Sequence, residues 1–417
     1  VAVTLGPASA NWLSTSWVNV IFFLIFLFFA ASFFGMFEII LPNWMVASSE
    51  KQVDKGGFLA PFFMALSLVI VSFSCTGPLI GTVIVQTAGG DYLRPIIGML
   101  GFSIAFALPF MVFAFFPQLM QNMPKSGGWL NTVKVVLGFL ELALGLKFLS
   151  IADLTYHWGL LDREVYLALW IIIFTLMGFY LLGKIKFSND SDTKYVTVPK
   201  LMMAIMTFGF VIYMIPGMFG APLNIMSGYL PPMTTHNFDL AKIIRTNTGN
   251  VTYEGCDKPK YSEFHELPHG LSGYFDYEQA LECAKTQKKP VLIDFTGYAC
   301  VNCRKMEDNV WSDKRILPLM HDKFVIASLY VDDKTKLPEE DQVVSEYDGK
   351  LKKTLGAKYA DFQISRFKMN AQPAYIVVDY NGDVLTKTPF FYDPNVGRFE
   401  AFLKMGLKKF NDRHKND

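Results

Sequence analysis

The sequence predicts a polytopic α-helical membrane domain followed by a compact α/β domain, and three observations carry that prediction. Residues 1–220 hold only about a quarter of the charged side chains, in a chain of 417 residues that is 52% hydrophobic with a formal net charge of +1. That first part contains apolar runs of roughly 20 residues, enough to cross a hydrocarbon core about 30 Å thick. The second part has the charge density of an ordinary soluble domain and alternates buried-strand patterns with amphipathic helices. Neither half is strongly basic or acidic, so no footprint for nucleic acid is present.

Six spans are expected in the membrane half, at about 17–41, 59–88, 95–117, 131–150, 165–183 and 200–219. The second is interrupted by Gly77-Pro78, a break tolerated at membrane depth only where the freed backbone faces protein or a wet cavity. Lys51, Lys55, Lys125, Lys184, Lys186 and Lys194 fall in alternate loops, with Lys134 and Lys200 just inside the adjoining spans. The opposite loops carry little beyond Arg94 and Arg163, so the lysine-rich set is assigned to the cytoplasm and residues 221–417 to the outside. Glu141 is the conspicuous ionisable group within a span: it is either a functional carboxylate or one facing the bundle or an interface. The chain opens on Val1 with no signal-peptide pattern, so an N-terminally incomplete sequence is expected.

Residues 221–270 read as an extracytoplasmic linker rich in Pro, Asn and Thr. It contains HELPH (265–269), formally the H-E-x-x-H zinc motif, but Pro268 falls inside the turn that must be helical for both histidines to share a face. Residues 271–417 form the α/β domain. YFDYEQALECAKTQKK reads as an amphipathic helix, PVLIDFT (290–296) as a buried strand, and GYACVNCRKMEDNVW as a turn entering a helix. FVIASLYVDD (324–333) is a second strand, followed by a polar insertion at 332–358 and a helix near 359–369. AYIVVD (374–379), the turn Asn381-Gly382-Asp383 and VLTKT are expected to pair as a hairpin, with a closing helix at 396–409.

The chemistry concentrates at Cys300-Val301-Asn302-Cys303. A C-x-x-C that opens a helix after a buried strand makes a redox-active dithiol, because unpaired N–H groups and the positive end of the helix dipole favour thiolate over thiol. Cys300 is the expected nucleophile and Cys303, one turn in, the resolving cysteine. Half of a structural zinc site is the competing reading; it needs two further ligands, and no second C-x-x-C exists. Cys283, on the amphipathic helix, is expected to be buried packing, and Cys256 to be free or paired outside this sequence. Cys75, on spacing alone, is a small apolar packing residue.

The segment VLIDFTGYACVNCRKME, with Gln372-Pro373 before AYIVVD, resembles the thioredoxin fold. That resemblance implies an α/β thioredoxin-like domain with a cis Pro373 opposite the dithiol, a buried acid at Asp294 and a second acid at Glu307, both modulating proton transfer. FFGMFEIILP (33–42), SCTGPL (74–79) and MPKSGGWLNTVKVVLGF (123–139) resemble the membrane domain of the bacterial DsbD-type thiol:disulfide interchange proteins. The resemblance covers nearly the whole chain apart from the linker and the insertion. It implies that the first two family spans and an N-terminal periplasmic domain are absent here, and that Cys75 pairs with a cysteine of the missing first span.

The function implied is an inner-membrane protein-disulfide reductase without a bound cofactor. Cytoplasmic thioredoxin would be the electron donor, and a periplasmic disulfide isomerase and thioredoxin-like proteins of cytochrome c maturation the acceptors. The alternatives are a membrane-anchored oxidase or isomerase not fed through the membrane, and a transporter or scaffold whose thioredoxin-like domain only binds.

Overall fold

The computed structural model describes residues 16–37, isolated positions between 97 and 115, and residues 128–187, 190, 195–236 and 256–415. The expected span at 59–88, Cys75 included, lies outside the described residues. Of the span at 95–117 only isolated helical positions are described.

Four described helices match expected spans: α1 (Ser16–Phe33), α2 (Gly128–Tyr156), α3 (Arg163–Leu181) and α4 (Val198–Met214). Three of the apolar stretches, Asn131–Tyr156, Arg163–Leu181 and Val198–Phe219, are long and apolar enough to cross a membrane, and Trp17–Phe33 is a shorter apolar helix. The described residues fall into two compact units: those within 21–146 and 173–208 belong to the first, and those within 16–20, 147–172 and 209–415 to the second. In the first, Gly138 and Gly145 let α2 approach α1 closely, since a Cβ at either would lie 3.0 Å from Phe34 or Phe26. Glu141 is buried, 5% exposed.

α2 extends to Tyr156, past the expected end at 150. The extra turn holds because the Asp153 carboxylate accepts the N–H groups of Leu160 and Leu161 at 2.9 and 3.0 Å, and the Thr155 hydroxyl donates to Ile151 O at 2.9 Å. His157 ends the helix in the left-handed region, at φ 54°.

The second unit contains the α/β domain. Its sheet comprises β1 (Gly273–Tyr274), β2 (Val291–Thr296), β3 (Val325–Tyr330), β6 (Ala374–Val378) and β7 (Phe390–Phe391), in the order β1-β3-β2-β6-β7. β1 and β2 run parallel to β3, while β6 is antiparallel to β2 and to β7. Helices α5 (Tyr277–Gln287), α6 (Val301–Met306), α7 (Leu317–Lys323), α8 (Leu355–Phe367) and α9 (Val396–Arg413) cover the two faces. Side chains alternate as strand geometry requires. Leu292, Ile326 and Val377 pack with Met306, Met320 and Phe399, whereas Ile293, Ala327 and Ile376 pack with Ala280, Cys283 and Tyr359.

Three expectations need correction. The helix placed near 359–369 begins at Leu355, because the Thr354 hydroxyl caps it by accepting the Ala357 N–H at 3.3 Å, and ends before Lys368 at φ 55°. The hairpin partner VLTKT is not a strand. The turn forms, with Asp379 N–H donating to Asp383 O at 2.9 Å, and the hairpin pairing is present but brief. Val384 bridges Val378 antiparallel and Leu385 N–H donates to Val377 O at 2.9 Å, after which Val377 N–H goes to the Thr386 hydroxyl, and the longer pairing with β6 comes from β7. Cys283 is not merely packing: it is disulfide-bonded to Cys256, 27 residues earlier. The bond ties the linker to α5.

Within the polar insertion, β4 (Val343–Val344) pairs with β5 (Leu351–Lys352) as a small separate ribbon. The insertion's first two residues, Asp332 and Asp333, are buried instead of solvated.

Candidate dithiol site

β2 delivers the chain to the site and α6 receives it. Cys300 stands at the N-cap of α6 and is disulfide-bonded to Cys303, and its sulfur accepts the Cys303 N–H at 3.1 Å. Cys303 is 1% exposed while Cys300 is only partly buried, so the outer sulfur is the more approachable one. Beyond Met306 the helix widens into a π-type turn, Glu307–Trp311, an irregularity that keeps Glu307 and Trp311 inside the domain. The Gln372-Pro373 bond is cis, immediately before β6, the antiparallel neighbour of β2.

The two elements that hold the disulfide, β2 and α6 with its continuation, also carry a buried polar group. Asp294, 1% exposed on β2, accepts the Ser328 hydroxyl at 2.9 Å. Burial pushes its carboxyl up to about 7, although the Ser328 hydroxyl and the Arg304 guanidinium pull the other way. Arg304 is 3% exposed, lies 2.7 Å from Glu307 and donates to the Thr296 hydroxyl at 3.1 Å. Burial also pushes Glu307 up, to about 8, against the attraction of Arg304 and with help from the neighbouring Asp294 and Asp308 carboxyls. Two acids that can hold or release a proton near neutral pH thus share one cation, Arg304, the residue that follows Cys303. Such an arrangement can supply a proton to, or take one from, a cysteine as the disulfide opens.

A second carboxylate pair shapes the loop that carries Cys300. Asp332 accepts the backbone N–H groups of Tyr298 and Ala299, each at 2.9 Å. Gly297 permits that approach, because a Cβ there would sit 2.8 Å from the Asp332 carboxylate. Burial raises the Asp332 carboxyl, opposed by those two N–H donors. These positions, together with Arg304 and Ser328, were not singled out from the sequence. The signal available was the pair Asp332-Asp333 at the end of an otherwise apolar strand.

The HELPH segment is not a helix. Leu267 is extended at φ −88° and ψ 143°, as the following proline dictates, and Pro268–Gly270 is a single 3-10 turn. Its two imidazoles reach different partners: His265 Nδ1 lies 2.9 Å from the Tyr298 hydroxyl, and His269 Nε2 lies 2.8 Å from Glu307 O. Among the described residues no group of three or more His, Cys, Asp or Glu side chains is placed to hold a metal ion.

Similarity to known proteins agrees with this division of the chain. Residues 1–152 match the family described as cytochrome C biogenesis protein transmembrane domain, and residues 272–379 match the thioredoxin-like family. The thiol:disulfide interchange protein DsbD of Campylobacter jejuni is 26% identical over 326 residues, 77% of this chain and 49% of that protein. The protein of the same name from Actinobacillus pleuropneumoniae is 36% identical over 132 residues, 30% of this chain and 22% of that one. Among solved structures, a DsbH oxidoreductase aligns with 39% of this chain and 98% of its own, at 19% identity and a TM-score of 0.26. The chain spans about half the length, or less, of the curated relatives it matches. The chain thus joins on one polypeptide a segment similar to the cytochrome C biogenesis protein transmembrane domain and a thioredoxin-like domain, and over most of its length it is similar to proteins named thiol:disulfide interchange protein DsbD.

Proposed function

We propose that this membrane protein passes electrons from the cytoplasm to a dithiol on the other side, where Cys300 and Cys303 reduce the disulfides of partner proteins. The observation that carries the reading is the C-x-x-C disulfide at a helix N-cap, in a domain whose β2 and α6 continuation hold two buried acids raised into the neutral range.

Each transfer is a thiolate attack. A donor thiolate attacks one sulfur of the Cys300–Cys303 disulfide, the bond breaks, and a mixed disulfide forms while the other sulfur leaves as thiolate and takes a proton. The donor's second thiolate then attacks the mixed disulfide. The donor pair ends oxidised, and Cys300 and Cys303 end reduced, having gained two electrons and two protons. Cys300 next attacks the partner's disulfide as thiolate, and Cys303 resolves the intermediate by the same exchange in reverse roles. Asp294 and Glu307 manage the protons; Pro373 lines the approach.

Cys75, beside Gly77-Pro78, is the membrane thiol in this reading, fed by cytoplasmic thioredoxin. The direction is downhill: thioredoxin lies near about −270 mV and a strong periplasmic oxidant near about −120 mV. A periplasmic disulfide isomerase and thioredoxin-like proteins of cytochrome c maturation are the acceptors. A bacterial inner membrane with the α/β domain in the periplasm suits the lysine distribution. It also suits the contact of that domain with residues 154–157, which follow a span that starts beside the lysine-bearing loop 118–130.

The test is alkylation trapping in intact cells that produce the complete protein, with and without cytoplasmic thioredoxin. The reading expects Cys300 and Cys303 mostly reduced in the first case and oxidised in the second. A dithiol that stays reduced without thioredoxin contradicts it.

A further inference from the structure

Two features left unused by the dithiol chemistry, the HELPH histidine and the start of the insertion, meet at one carboxylate. Asp333 is fully buried. Its Oδ2 lies 3.0 Å from His265 Nε2 and 3.2 Å from His157 Nε2, and its Oδ1 accepts the Thr335 N–H at 2.5 Å. His265 continues on its other nitrogen to the Tyr298 hydroxyl, at 2.9 Å. His265 Nε2 sits at ion-pair distance from Asp333 without an aligned hydrogen bond, while its Nδ1 is paired with the Tyr298 hydroxyl. A chain of contacts therefore runs from Asp333 through His265 to Tyr298, two residues before Cys300. The adjacent Asp332 holds the backbone of that same loop.

His157 comes from elsewhere. It follows the last turn of α2 and, within the same compact unit, reaches Asp333 across 176 residues of sequence. Its Nε2 is also 3.1 Å from the Thr335 hydroxyl, and its ring stacks on Phe264 with centroids 4.8 Å apart. The last turn of α2 is bound at other points too. Lys334 N–H donates to Thr155 O at 3.0 Å, and Leu154, 6% exposed, packs in the cluster that holds Leu267, Tyr298 and Met306. After α4 the chain returns to the same face, where Gly228, at φ 87°, passes so close that a Cβ would lie 2.5 Å from Val301 in the dithiol helix. A histidine in the left-handed region costs on the order of 1 kcal/mol and persists only where its surroundings hold it. Here Asp333, Thr335 and Phe264 do so.

We propose that His157 and His265, clamped on Asp333, are an intramolecular docking latch that seats the dithiol domain on the last turn of α2, inside one compact unit, and that this seating supports electron delivery to the Cys300 loop. Delivery from the membrane rests on the function proposed above; the latch itself rests on the contacts alone. His157 and Asp333 are positioning residues, acting through Tyr298 and Asp332 on the loop.

The test uses the intact protein in lipid nanodiscs. His157→Gly removes the imidazole and suits the positive φ, so the helix end is not strained; His157→Asn keeps an N–H donor and tolerates that backbone. Hydrogen exchange of a peptide spanning 331–337 reads docking directly, since the Lys334 amide is donated to Thr155 O. About tenfold faster exchange is expected in His157→Gly, the loss of one hydrogen bond to a charged group, with recovery in His157→Asn and no change in β2. Reduction of Cys300–Cys303 by thioredoxin should slow by a similar factor, about tenfold, while reduction by dithiothreitol stays within about twofold. Unchanged exchange at 331–337 in His157→Gly overturns the latch. Faster exchange with undiminished thioredoxin-driven reduction overturns its link to electron delivery. If wild-type protein accepts no electrons from thioredoxin, the proposed function fails, and the exchange result still decides the latch.

Discussion

The α/β domain contains two disulfides with nearly equal Cα separations, 5.5 Å for Cys256–Cys283 and 5.3 Å for Cys300–Cys303, in opposite surroundings. The first closes a span of 27 residues and sinks Cys283 among Tyr274, Ala280 and Ala284. The second closes a span of three, at the N-cap of the helix that carries Arg304. A cross-link removes unfolded-chain entropy in proportion to the logarithm of the loop it closes, so the long loop has much to gain and the short one little. Thiolate reactivity depends on approach and on nearby positive charge, which favours the short one. The same covalent bond is therefore a staple in one place and, in the proposed function, the reaction centre in the other, and what separates them is loop length and local electrostatics.

The largest effect should come from Cys300→Ser. Exchange with a test disulfide is expected to fall at least about a thousandfold, since serine is no thiolate nucleophile, while opening so short a loop costs only about 2 kcal/mol of stability, less than opening the longer one. Retained exchange would mean that Cys303 or another thiol attacks first.

Asp294→Asn is the next sharpest probe. A buried carboxyl raised to about 7 keeps, in the folded state, a proton that the unfolded chain releases near 4. Between those values the folded state binds more protons, so wild-type stability falls as pH rises from about 4 to 7. The loss is on the order of a few kcal/mol, and the asparagine variant should show a flatter curve by urea unfolding at pH 5 and pH 8. Its dithiol exchange should be slowed by about tenfold to a hundredfold, with the pH dependence near neutrality weakened. Parallel stability curves for the two proteins would show that Asp294 is not raised.

Cys256→Ser should do the reverse of Cys300→Ser. Opening a 27-residue loop costs about 3 kcal/mol in unfolding free energy, whereas exchange at Cys300 should change by less than about twofold. A large loss of exchange would make the distinction between staple and reaction centre untenable.

Much of this was legible in the sequence, unevenly. Cys300, Cys303, Asp294, Glu307 and Pro373 follow from a C-x-x-C after a buried strand and its resemblance to thioredoxins, because local pattern positions them. The Cys256–Cys283 bond was not legible, since pairing of cysteines 27 residues apart depends on how the linker wraps α5. Asp332, Asp333 and His265 were hidden for the same reason: the carboxylates looked like the edge of a solvated insertion, and His265 like a failed metal motif. Both became interior only when β3 brought them against the loop before Cys300. Helix and strand limits shifted where a side chain replaced a backbone partner, as Thr354 and Thr386 do.

The central claim is that the dithiol is fed from the membrane, and Cys75→Ser tests it most directly. In intact cells producing the complete protein, alkylation gel shifts would report the redox state of Cys300 and Cys303. The account predicts a mostly reduced pair in the wild type and an oxidised pair in Cys75→Ser, with Cys256–Cys283 oxidised in both. A Cys300–Cys303 pair that remains reduced without Cys75 would contradict it.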